Sequence, residues 1–123
     1  MAQLSGIWLG TYWQSQVPSR FEMSLIQGGN ALSGNILDDN YLGEASLVGE
    51  VVGRKINFTK NYLCGSGHSV YYIGTVSEDG NFMQGQWQID LFNSGTWEAR
   101  RNDENLTLNL EVNKDKKVPI SVE

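Results

Sequence analysis

The chain has 123 residues, 40% of them hydrophobic and 19% charged, with a net charge of −5. That suits one folded domain and excludes a disordered chain, and the acidic balance argues against a nucleic-acid partner. No apolar run reaches the ~18–20 residues of a membrane helix, and Met1-Ala2-Gln3-Leu4 opens without a basic or apolar leader, so neither a membrane span nor a signal peptide is expected.

Apolar and polar residues alternate from Ser5 to Arg101, which predicts strands and few helices. Eight segments share an apolar phase. Residues 5–14 carry Trp8, Gly10 and Tyr12, residues 20–27 carry Phe21, Met23 and Leu25, and residues 31–38 carry Leu32, Gly34 and Ile36. Residues 44–52 carry Ala45, Leu47, Gly49 and Val51, and residues 54–62 carry Ile56, Phe58, Lys60 and Tyr62. Residues 68–76 carry Val70, Tyr72, Gly74 and Val76, residues 81–89 carry Met83, Gly85, Trp87 and Ile89, and residues 95–101 carry Trp97, Ala99 and Arg101.

The connectors at 27–30, 52–54 and 77–81 are short and glycine-bearing, as hairpin turns require. Those at 15–19, 38–43, 63–67 and 90–94 are looser. Alternation of the two kinds places them at opposite ends. This predicts an all-β fold, an eight-stranded antiparallel up-and-down barrel over residues 1–101. Residues 102–123 form a C-terminal extension in which Leu106 to Val112 alternate like a strand. A closed barrel has no edge for a ninth strand, so this stretch is expected to lie over the outside, cover a loop, or pair with another copy in a homodimer through residues 106–112.

Glycine is over-represented, with 14 residues where roughly 7% is average. Five glycines, Gly10, Gly34, Gly49, Gly74 and Gly85, sit mid-strand on the apolar phase. Glycine there weakens a strand unless it relieves bending or lets another group approach, so the five predict coiled strands around a narrow interior.

Gly6-Ile7-Trp8 opens the first strand and Arg100-Arg101 ends the last, at one end of such a barrel. This resembles the calycin pattern of lipocalins, fatty-acid-binding proteins and avidins. There a Gly-x-Trp packs across the closed end beside a basic residue, an arrangement with cation–π logic. Residues 5–53 are most similar to an avidin-type barrel, through the Gly-x-Trp, Phe21, Leu32-Ser33-Gly34 and Leu47-Val48-Gly49. The chain also resembles uncharacterised bacterial domains with a Phe-x-Lys-x-Tyr strand, here Phe58 to Tyr62, and a late Gly-x-Trp, here Gly85-Gln86-Trp87. Biotin recognition does not carry over, because Gly10 and Ile36 stand where avidins have Asn and Tyr.

If Trp8 and Arg101 close one end, the other is an aromatic mouth. Tyr12, Phe21, Lys60, Tyr62, His68 and Trp97 are the candidate ligand-binding residues. Lys60 is the one cation on an apolar strand face. It either anchors a ligand anion, snorkels at the rim, or pairs with Asp38 or Asp90. Cys64 and His68 are too few for a structural zinc site, and no convergent acid–base set marks an enzyme. The expectation is a cytoplasmic, non-enzymatic binding barrel for a small, partly apolar or anionic ligand, with no catalytic residues, metal or cofactor. The alternative is a protein–protein interaction module of the peptidase-inhibitor kind, with a fully packed interior.

Overall fold

The computed structural model describes residues 3–40, 43–63, 68–91 and 93–102. The predicted extension, its homodimer contact and Cys64 lie outside the described residues. Eight strands follow one another: β1 (Gly6–Gln14), β2 (Val17–Gly28), β3 (Ala31–Asp38), β4 (Glu44–Val52), β5 (Lys55–Tyr62), β6 (Ser69–Val76), β7 (Phe82–Gln88) and β8 (Ser94–Arg101). Each pairs antiparallel with the next, and β8 returns to β1 in register from Trp8↔Arg101 to Trp13↔Thr96. The sheet is a closed up-and-down barrel, as the alternation predicts.

The apolar phase of every strand points inward. Trp8, Met23, Leu47, Val51, Val76, Met83, Trp97 and Ala99 are all at most 1% exposed. The mid-strand glycines thin the wall between neighbours. A Cβ on Gly34 would lie 1.9 Å from the Ser24 carbonyl oxygen, and one on Gly85 would lie 1.8 Å from that of Ile73. No real side chain fits at such distances, so glycine alone allows the backbones to close in where the strands coil. Gly95 belongs to this set, since its Cβ would meet the Trp13 carbonyl oxygen at 2.1 Å.

One connector differs from its expectation. Residues 15–19 are not a loose loop. Ser15 (φ 50°) and Gln16 (φ 68°) make a two-residue turn, and β2 starts at Val17. Two successive positive φ angles match the twist of a tight hairpin, even without glycine. Pro18 is part of β2, opposite Trp13, below the point where β3 begins to pair at Phe21. On that unpaired edge its missing N–H costs no ladder bond.

The N-terminal end of β1 is plugged. Trp8 donates its indole N–H to the Leu4 carbonyl at 3.0 Å, and Leu4 is fully buried. The Arg101 guanidinium lies 4.6 Å over the Trp8 ring and donates to the carbonyls of Gln3, Ser5 and Gly80. The opposite end is reached by Tyr12, Asp38 and Tyr62.

Candidate functional site

The inward phase of β3 continues past Ile36 to Asp38, whose carboxylate lies inside the barrel at 4% exposure. Lys60, on the inward phase of β5, is fully buried. Its ammonium donates to Asp38 Oδ1 at 2.8 Å and Oδ2 at 3.0 Å. Tyr62 donates its hydroxyl proton to Oδ2 at 2.5 Å and Tyr12 donates to the same oxygen at 3.2 Å. Asn40 Nδ2 then donates to the Tyr12 oxygen at 3.0 Å. The ammonium also lies 4.6 Å from the Tyr62 ring centre and 4.9 Å from that of Tyr12. A buried ion pair is tolerable when further hydrogen bonds satisfy it, and two phenols supply them here.

The electrostatics follow from this burial. Desolvation pushes the Lys60 ammonium below its ordinary value, and the Asp38 carboxylate works against that. Burial pushes the phenols of Tyr12, Tyr62 and Tyr72 up, and Asp38 pushes each further. All three phenols therefore stay neutral well past physiological pH.

Above the network the barrel opens into a cavity of about 320 Å³. Tyr12, Tyr62, Tyr72, Trp87, His68, Val70, Ile89, Gln14 and Asn93 line it. Tyr62 and His68 rings sit 4.9 Å apart at its rim, and Tyr12 meets Trp87 edge-on at 6.3 Å. The polar hydrogens around it are mostly committed. Tyr12 and Tyr62 give theirs to Asp38, and Trp87 gives its N–H to the Trp13 carbonyl at 3.0 Å. Among the buried lining residues Tyr72 is the exception. It is 2% exposed, stacks on Phe58 at 4.7 Å, and its hydroxyl has no hydrogen-bond partner among the described residues.

The six sequence-chosen residues are thus divided. Tyr12, Tyr62 and His68 line the cavity together. Phe21, Lys60 and Trp97 are buried and do not line it, and Trp97 borders instead a depression in the outer wall. Lys60 is spent on Asp38, one of the two pairings the sequence suggests, and Trp97 donates its N–H to the Ile73 carbonyl. Sequence reasoning missed Asp38 as an inward group and left Tyr72 out of the candidate site residues. The signal was present, because Leu32, Gly34, Ile36 and Asp38 share one period-2 phase, as do Val70 and Tyr72.

A larger depression, about 1240 Å³, lies on the outer wall over β5 to β8, with Trp13, Lys55, Ile73, Gln86 and Glu98 around it. It is an open dent where Gly74 and Gly85 face each other in register. The mouth, by contrast, has the buried hydroxyl-bearing residues Tyr12, Tyr62 and Tyr72 in its lining, and burial gives a hydrogen bond its discriminating value. No group of three or more His, Cys, Asp or Glu side chains suited to a metal ion occurs among the described residues.

No family model and no curated protein matches this chain. Among solved structures the chain is similar to a de novo designed, fluorescence-activating beta barrel. The two share 14% identity and a TM-score of 0.59, over 79% of this chain and 92% of the other. At that identity the likeness is one of fold: an eight-stranded antiparallel β-barrel.

Proposed function

We propose that this protein is a non-enzymatic binding barrel that holds a small, partly apolar molecule in its mouth and works in the cytoplasm. The carrying observation is the roughly 320 Å³ aromatic cavity next to a buried polar network. That volume is at the small end of ligand sites, which run from about 300 to 1,000 Å³. Likeness to a barrel designed to activate fluorescence agrees with a binding role. The Arg101–Trp8 contact supports a kinship with calycins. Lys60 does not act as the anion anchor in this reading, because its charge is already neutralised by Asp38.

Native mass spectrometry of the protein purified from its own host tests the proposal. A co-purifying small molecule, absent from an Ile89→Trp variant that fills the mouth, is expected. A co-purifying polypeptide with no small molecule would replace this reading with the interaction-module alternative.

A further inference from the structure

Resting on the binding reading above, we infer that the mouth selects an uncharged ligand carrying a hydrogen-bond acceptor, a carbonyl or ring heteroatom, which the hydroxyl of Tyr72 engages. Three phenols surround this part of the barrel, and each has one proton to give. Those of Tyr12 and Tyr62 both go to Asp38 Oδ2. The Trp87 N–H goes to Trp13. Of the buried donors, the hydroxyl of Tyr72 is left, nine-tenths buried and more, on a residue that lines the cavity, whereas Gln14 and Asn93 are exposed to water at its rim. A buried polar group without a partner is costly, so such groups are normally satisfied by protein, water or ligand. An acceptor atom placed in the cavity removes that cost, and a hydrocarbon leaves it.

Charge selection follows from the same groups. Lys60 and Asp38 cancel as a pair. Lys60, the one buried cation among the described residues, is therefore already committed 2.8 Å from Asp38 and leaves no free counter-charge for a ligand anion. A ligand carboxylate buried without such a partner pays its desolvation uncompensated. The inner lining of the cavity is aromatic and aliphatic, with Tyr12, Val70, Trp87 and Ile89, while Gln14, His68 and Asn93 stand at the more exposed rim. A flat body with a single acceptor edge matches it. Anionic ligands, one branch of the sequence expectation, fall outside this selection.

Three naphthalene probes of similar size test the inference by titration calorimetry: 2-acetylnaphthalene, 2-ethylnaphthalene and 2-naphthoate. The acetyl probe is expected to bind roughly fivefold to tenfold more tightly than the ethyl probe, one hydrogen bond's worth, with naphthoate weakest. In Tyr72→Phe, which discards only the unpartnered hydroxyl, the acetyl and ethyl probes should bind alike. Equal binding of these two to the unaltered protein, or naphthoate binding tightest, overturns the ligand class while leaving a binding mouth. A preference that survives Tyr72→Phe overturns the role of Tyr72. Failure of all three probes, with no co-purifying small molecule, overturns the binding reading and this inference together.

Discussion

Asp38 and Lys60 meet at 2.8 Å inside the barrel although their strands are not neighbours. β4 runs between β3 and β5, and its inward residue at that level is Ala45, which faces Ile36 on one side and Tyr62 on the other. Alanine adds no bulk beyond Cβ, so the lysine stem reaches past β4 to the carboxylate. Removing one partner strands the other charge away from water. Asp38→Asn and Lys60→Met should each cost about 3–5 kcal/mol in urea unfolding. The double variant should cost less than their sum by about 2 kcal/mol or more. Additive losses would show that the two charges do not depend on each other.

Alkaline stability should follow the three buried phenols. Their folded values lie above the ordinary 10.0, so the folded chain keeps protons that the unfolded chain loses. Their contribution is whole below pH 10 and declines as pH rises above it. Each tyrosine adds up to about 1.4 kcal/mol per pH unit to that decline. Lys60 acts with the opposite sign. Its lowered folded value makes stability rise with pH until the unfolded lysine has titrated near 10.5. Three phenols outweigh one amine, so denaturant midpoints should drop steeply above pH 10. In Tyr62→Phe the drop should be shallower by about one proton; an unchanged slope would remove Tyr62 from the account.

The glycine wall makes a contrast within one residue type. Gly85→Ala sets a methyl 1.8 Å from the Ile73 carbonyl oxygen and should cost roughly 3 kcal/mol. Gly28→Ala meets nothing within 4 Å and should change stability by no more than about 0.5 kcal/mol. Thermal unfolding of the two variants measures this directly. Equal effects would mean that close strand approach is not what selects glycine at position 85.

Arg101 holds the plugged end with a planar fork, giving hydrogen bonds to three carbonyls while lying over Trp8. Lysine keeps the charge but not the fork or the flat stacking surface. Arg101→Lys should therefore lose about 1–2 kcal/mol. It should also speed hydrogen exchange of the Trp8 indole N–H, which bonds Leu4. Full rescue by lysine would reduce the contact to charge alone.

Much of this architecture was legible in the chain, because a strand's side chains alternate faces with a period of two. Trp8, Tyr12, Phe58, Lys60 and Tyr62 could be assigned inward from that alternation alone. The glycines carried the curvature, since only their missing side chains permit the approach at Gly34 and Gly85. The turn at Ser15 and Gln16 was not legible, because neither residue has the usual preference for positive φ.

Partnerships across the interior were the part that tertiary structure alone decided. Asp38 reaches Lys60 over an intervening strand, and that depends on how far each strand is staggered and tilted when the barrel closes. The same closure gives the Tyr12 and Tyr62 protons to one carboxylate oxygen and sets Tyr72 in the lining of the cavity. A one-dimensional pattern states which face a residue takes. Which group it meets there is set by the three-dimensional register of strands that never touch.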